Sequence, residues 1–309
     1  MSVPMISGGF GDLVDRRVTK VFWDRYNELP QHVPTLYRMD SSSDQYETVS
    51  NVGALGDWPA FGGSVTYQDQ FQGYDMRATH VEFASGIQIE RALYDDDRHG
   101  VWEGRPRALA TSANRTREKH GARILNNAFS VDTFFYNNSE GISLCSNAHT
   151  TTNPNASTAV GFDNLTTSSL SAVSLVAARI QMMNYRDDAG NKMSFMPDEL
   201  WIPIDLYDKA YEIVKSSGQL DSGNNNANVH KGMFKIMPTE AGWNYLTDVN
   251  NWFLCDSTYR KDMLTWYDRV PMEFAFAEEI DSLIAKWRGY MRYSCMWNDW
   301  RWILGALVS

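Results

Sequence analysis

Apolar and polar positions change period several times along the chain, and each change marks an element. Between residues 1 and 54 no period is sustained. Pro4, Pro30 and Pro34 are scattered, Ser41, Ser42 and Ser43 form a polar run, and only Asp15 to Tyr26 has the spacing of a short helix. The segment reads as an extended arm that needs a partner surface. From Val65 alternation begins: Val65, Tyr67 and Phe71 against Thr66, Gln68 and Gln70, then Val81 and Phe83 against His80 and Glu82, with Ile87 and Ile89 on the same odd-numbered face. Period two predicts strands, so a hairpin is expected to turn at Gln72-Gly73-Tyr74. Being long and only half apolar, it is expected to project and to bury its second face on another subunit.

Between Asp95 and Phe129 the period lengthens. Leu109, Ala113, Ile124 and Ala128 form a thin apolar line, which predicts one long, mostly polar helix, kinked near Gly104-Arg105-Pro106. From Arg105 to Arg123 its cations are Arg105, Arg107, Arg115, Arg117, Lys119 and Arg123, opposed there by Glu118 alone. The polar stretch from Asn147 to Thr167 predicts a boundary before a compact second half. There Val173, Val176, Ala177, Ile180 and Met183 predict an amphipathic helix with that stripe as its apolar face. It begins after Ser168-Ser169 and stops at the turn Asp187-Asp188-Ala189-Gly190-Asn191. A strand at Leu200-Trp201-Ile202, a helix capped by Asp205 with Leu206, Ala210, Ile213 and Val214 on one face, and strands at Phe234 to Met237 and Trp252 to Cys255 predict a small mixed sheet with helices packed on it. Alternation returns at Leu283, Ala285, Trp287, Met291, Tyr293 and Cys295, a long half-buried strand leading to Trp297, Trp300 and Trp302, whose rings need a core or a partner.

Composition narrows the function classes. A chain of 309 residues with 43% hydrophobic and 13% aromatic residues can bury a real core, in one large domain or two ordinary ones. Asp12, Asp15, Arg16, Arg17 and Lys20 lead to the expectation of no signal peptide, and no run approaches the ~20 apolar residues of a membrane span. A formal net charge of -10 weighs against a dedicated nucleic-acid binder, whose affinity rests on clustered Lys and Arg. Cys145, Cys255 and Cys295 lie far apart and read as buried free thiols of a reducing cytoplasm. The histidines lack the spacing of metal ligands, no serine-hydrolase elbow or phosphate loop occurs, and Asp187 to Asn191 lacks the later Glu of a calcium loop. No catalytic, cofactor-binding or metal-binding residue is therefore expected, and a carbohydrate-processing enzyme with paired carboxylates is kept as an alternative.

The order of elements, extended arm, hairpin, long polar helix, compact α/β unit and returning strand, resembles the Hong Kong 97-type capsid fold. Short motifs add to it: Gly86-Ile87-Gln88-Ile89-Glu90-Arg91-Ala92-Leu93 with Asp95-Asp96, Arg107-Ala108-Leu109-Ala110 with Arg115-Thr116-Arg117-Glu118, and Leu144-Cys145-Ser146-Asn147-Ala148-His149. With Asn184-Tyr185-Arg186 running into the Asp187 turn, and Asp299-Trp300-Arg301 at the end, the text is similar to Mu-type major head subunits of tailed bacteriophages over roughly Leu55 to Gly305. The resemblance implies an α+β subunit with an N-arm (1–54), an E-loop hairpin (55–91), a peripheral or P domain with a long spine helix (92–159), an axial or A domain (160–265), and a return to the P domain (266–309).

By that resemblance the chain is a major capsid protein, not an enzyme. It would self-assemble as pentamers and hexamers into the icosahedral shell enclosing the double-stranded DNA genome, formed in the host bacterial cytoplasm and resident in the virion. An encapsulin-like compartment shell shares the fold and stays open beside it. The implied E-loop contains no lysine, so non-covalent interlocking is expected in place of an isopeptide crosslink, with or without a decoration protein. A separate scaffolding protein and a portal are the other implied partners, and no membrane. Two residue sets follow. Phe22, Trp23, Tyr67, Phe71, Val81 and Phe83 are expected at inter-subunit contacts, being apolar in segments that cannot bury them alone. Arg115, Arg117, Lys119 and Arg123 are expected to form an interior basic face, in weak, non-specific contact with DNA or facing acidic residues of the next subunit; a solvated helix face is the plainer reading of the same cations.

Overall fold

The computed structural model describes residues 11–90, 103–218, 227–239, 241–279 and 284–309. The alternation expected near the C-terminus is β11 (Ile284–Trp297), which pairs antiparallel with β10 (Leu264–Glu279). Nothing in the pattern announced β10, because register shifts between Asp268 and Glu273, around Pro271, reset its alternation. β1 (Arg38–Ser41) joins parallel to β10 and β4 (Val81–Glu90) antiparallel to β11, in the order β1-β10-β11-β4.

The long helix runs Gly104–Asn126, about 35 Å at 1.5 Å per residue. Pro106, expected to kink it, stands in its first turn, where an N–H has no intrahelical acceptor to lose. The preceding part of the expected helix lies outside the described residues. Leu109, Ala110 and Ala113 pack against Phe22 and Tyr26 of the N-terminal helix (Gly11–Glu28). Val18, Phe22 and Tyr26 recur every fourth residue and are buried, so the expected arm covers its apolar stripe within its own chain. Further along, Ala122, Ile124 and Leu125 enter the main core.

A hairpin with a long exposed loop exists, but not between the strands that alternation suggested. β3 (Gln72–Thr79) begins where the turn was expected, and it pairs with β2 (Tyr46–Val52) on one side and β5 (Tyr136–Asn138) on the other. Val65 to Phe71 is irregular loop, and Val81 to Ile89 belongs to β4 in the other sheet. Period two was present in both stretches, yet the first forms no strand.

The second half holds the five-stranded sheet β6-β12-β9-β7-β8, with β6 (Leu165–Thr166), β7 (Glu199–Trp201), β8 (Lys235–Met237), β9 (Trp252–Cys255) and β12 (Ile303–Ala306). Helix Tyr207–Lys215 buries Ala210, Ile213 and Val214 as expected, although Asp205 falls in a short 3-10 turn and makes no cap. Helix Ala172–Met182 is opened by Ser171 and Ser174, each side chain accepting from the other's backbone N–H. Its buried residues are Leu175, Ala178 and Met182, whereas Val173, Ala177, Ile180 and Met183 are exposed. The stripe expected in the core therefore faces outward, because this helix is apolar on both sides and the sheet covers only one.

One apolar cluster runs from Val33 and Met76 through Leu144, Trp201 and Trp252 to Trp302 and Ala306. Trp297, Trp300 and Trp302 find a core rather than a partner. At its centre Arg260 donates to both oxygens of Glu199, at 2.8 and 2.9 Å, and to the Leu36 carbonyl, while Trp201 Nε1 donates to Glu199 at 3.1 Å.

Candidate functional site

The neck of the β2–β3 hairpin is pinched. The Gly53 N–H donates to the Phe71 carbonyl at 2.8 Å, and Gln70 Nε2 donates to the Gly53 carbonyl at 2.8 Å. A Cβ on Gly53 would stand 2.7 Å from the Phe71 carbonyl oxygen, and one on Gly73 would stand 2.8 Å from Asn51 Cβ, so this closeness requires glycine. Beyond the neck, Gly56, Pro59, Gly62 and Gly63 deny the loop a regular period. Its apolar side chains are left in solvent: Trp58 is 92% exposed, Tyr67 91%, Phe61 78% and Val65 67%. With Leu55 they line a cleft of roughly 470 Å³. Apolar residues scattered singly on a surface are ordinary, whereas here four large ones cluster on one exposed loop, which makes it the candidate docking surface. The loop from 53 to 71 carries Asp57 and Asp69 and no cation.

Of the residues expected at inter-subunit contacts, Tyr67 alone stands fully open. Phe22 is buried and stacks on Phe274 at 4.3 Å, with Trp23 beside it. Val81 and Phe83 pack on the main core, Phe83 stacking on Tyr293 at 4.8 Å, and Phe71 is half-buried at the neck. Trp58 and Phe61 were not singled out by sequence. The available signal was large apolar residues among glycines and proline, where neither helix nor strand could bury them.

The expected basic face divides in two. Arg117 is buried, pairs with Asp268 at 2.7 Å and lies over the Trp266 ring. Arg123 grips Asp132 through two hydrogen bonds of 2.7 and 2.8 Å. Burial works against the Asp132 carboxylate, but hydrogen bonds from Arg123, Asn127 and the Phe134 N–H hold it below the usual carboxylate range. Arg115 and Lys119, one helical turn apart, are exposed. Glu118, read as their counter-charge, is buried instead and accepts from the N–H groups of His32 and Val33 at 2.7 and 3.2 Å, at the start of the short helix Val33–Leu36. Next to Arg123, His120 lies 2.7 Å from the Tyr293 hydroxyl among Phe83, Phe134 and Phe135. Burial, helped by Arg123, pulls its pKa down to about 4.

Three of the short motifs meet in space. Arg301 donates to Asp299 at 2.7 Å, to Asp188 at 2.8 Å and to the Arg186 carbonyl at 2.6 Å. The Trp300 ring stacks on His149 at 4.4 Å, and His149 in turn reaches Glu140 at 3.2 Å. Buried Asn164 accepts from the Ser146 N–H and donates to the carbonyls of Leu144 and Ile303, tying the same pieces together. These hydrogen bonds hold chain to chain, an arrangement for rigidity rather than reaction. Among the described residues no cluster of His, Cys, Asp and Glu could hold a metal ion, and no helix is long and apolar enough to cross a membrane.

Residues 73–306 match the model of a protein family described as phage capsid protein. No curated protein matches the chain in sequence. Among solved structures the chain is similar to the mature capsid subunit of bacteriophage PhiM1, with a TM-score of 0.58 at 7% identity, covering 91% of this chain and 88% of that one. It is also similar to the acid-stable capsid of the Helicobacter pylori bacteriophage KHP30, with a TM-score of 0.54 at 10% identity over 88% and 86% of the two chains. A third likeness is the capsid of an empty GTA particle computed with C5 symmetry, with a TM-score of 0.52 at 11% identity over 90% of each chain. At such identities these likenesses speak to the fold.

Proposed function

The chain belongs to the phage capsid protein family, and from that premise we propose a Hong Kong 97-type subunit whose shell is locked by the open loop between β2 and β3. It is a shell-forming structural protein, a major capsid protein and not an enzyme. The proposed division is an N-arm to residue 54, an E-loop over 55–91, a P domain over 92–159 with the helix Gly104–Asn126 as its spine, an A domain over 160–265, and a return to the P domain from 266. The element order supports it, with the loop sitting on a hairpin beside the sheet that the long helix covers.

The observation that carries the reading is the cluster of Trp58, Phe61, Val65 and Tyr67 on a projection with no core of its own. On a subunit that assembles with its copies, such a patch is best buried on a neighbour. Obligate interfaces of this kind bury roughly 2,000–5,000 Å² in all. Replacing residues 54–70 by a short turn should leave a folded subunit that no longer closes into shells in electron micrographs; normal shells from this variant would sink the proposal. The cut must stop short of β3, because Met76 and Ala78 are buried in the core.

Pentamers and hexamers, a double-stranded DNA cargo, a separate scaffolding protein, a portal and a decoration protein belong to the same proposal. Contact with DNA falls to Arg115 and Lys119, since Arg117 and Arg123 are committed to Asp268 and Asp132. That contact is weak and blind to sequence, as suits a net-acidic subunit.

A further inference from the structure

The two legs of the β2–β3 hairpin cross from one sheet to the other at two residues. The chain leaves β1 through Ser42 to reach β2, and it returns from β3 into β4 through His80. His80 is buried, and its Nε2 lies 3.0 Å from Ser42 Oγ, so the legs touch where they cross. Its Nδ1 lies 2.9 Å from the hydroxyl of Ser294, a fully buried residue of β11. One ring thus ties both legs of the hairpin to a strand of the four-stranded sheet.

The direction of each bond follows from the groups around it. Ser42 Oγ donates to Glu47 Oε1 at 2.5 Å and accepts from the Asp44 N–H at 3.2 Å. A hydroxyl has one hydrogen to give, so from His80 it can only accept. Nε2 therefore carries the ring proton, Nδ1 is bare, and the Ser294 hydroxyl donates to it. The relay runs from Ser294 through His80 and Ser42 to Glu47, and it is complete only with a neutral imidazole. A second proton, on Nδ1, sets two hydrogens against each other inside a buried site.

The charges acting on the ring come from three strands. Arg292 of β11 and Arg269 of β10 oppose a cation there, Glu47 of β2 favours one, and the Tyr267 ring of β10 stands edge-on at 6.4 Å. Arg292 in turn lies 3.8 Å from Glu82 of β4. Burial is the largest influence and, with the two arginines, holds the pKa of His80 below its ordinary 6.5.

We propose that His80 is a proton-sensitive pivot of the hairpin: neutral, it ties the two legs to each other and to β11, and protonated it releases them, loosening the crossing from which the open loop hangs. A histidine is the side chain suited to this, because it changes charge close to neutrality. The unfastened ring takes up a proton more readily than the fastened one. Below pH 6.5 acid therefore favours the open crossing, and the relay's hold fades as the pH falls towards the folded value.

Hydrogen exchange of the full-length subunit, corrected for intrinsic rates, tests this. Protection of peptides spanning Ser42 to Thr48 should fall by up to about tenfold per pH unit below 6.5, while that of helix Ala172–Met182 holds. These peptides are chosen because His120 lies beside Phe83, which follows the other leg. His80→Gln, neutral at every pH, should lose the dependence. Ser294→Ala should show a smaller acid loss, since without that donor Nδ1 accepts a proton more easily in the closed crossing. Constant protection in the parent, an equal fall in His80→Gln, or an equal fall in helix Ala172–Met182 overturns the inference. The measurement needs only the folded subunit, so neither result bears on the shell reading, and failure of the chain to assemble leaves the pivot standing.

Discussion

Single residues show how the chain spends its charges. Arg260 and Glu199 are an ion pair inside the core, each satisfied by further hydrogen bonds. Removing one partner strands the other, so Arg260→Met should lower the free energy of unfolding by about 3–5 kcal/mol in urea titrations, whereas replacing both together should cost less. The thiols are inert: burial raises Cys145 and Cys255 and pushes Cys295 up to about 12, so native protein should resist thiol reagents at pH 8 and become reactive only on unfolding. His120 titrates near 4 in the fold and at its ordinary 6.5 when unfolded. Between those values the unfolded chain binds more protons, so stability falls as pH drops through 6.5 and the loss is complete below about 4. His120→Gln removes that difference. Its melting temperature should decline less between pH 7.5 and 5 than the parent's; an unchanged decline would put the acid sensitivity elsewhere. None of these partners was legible in the sequence. Arg117 and Asp268 lie 151 positions apart, and a charge on a polar helix carries no sign of a partner so distant.

Elements were easier to read than their faces. Helix Tyr207–Lys215 came from helical spacing, β11 from the alternation of its first two thirds, and β9 from an unbroken apolar run, Trp252 to Cys255, that is buried throughout. β10 was missed because its bulges break that period. Helix Ala172–Met182 was found but turned inside out, since a helix apolar on two sides leaves periodicity no way to say which of them meets the sheet. The long helix was found, while Arg115, Arg117, Lys119 and Arg123 were read as one face although, of these four, only Arg115 and Lys119 remain open. Arg115→Glu with Lys119→Glu should therefore fold with a melting temperature close to the parent's and form shells that package less DNA, measured by nuclease-protected content. Unchanged packaging would return these residues to a solvated face. Arg117→Glu should instead destabilise the subunit itself, because it sets a carboxylate against Asp268.

For the whole molecule, two forces bear on assembly and salt moves them in opposite directions. Every copy carries a formal charge of -10, so copies repel at low ionic strength. The side chains proposed to join them, Trp58, Phe61, Val65 and Tyr67, are apolar and gain nothing from low salt. If these side chains drive assembly, raising salt should screen the repulsion and lower the subunit concentration at which capsomers or shells appear. The screening length falls from about 30 Å at 0.01 M to about 8 Å at 0.15 M, so most of the change should come at the low end of that range. If exposed cations such as Arg115 and Lys119 bridged neighbouring carboxylates as the main bond, the same salt would weaken assembly. Light scattering against ionic strength at constant pH separates the two. A threshold concentration that rises with salt would mean that charge, not the apolar loop, holds the shell together.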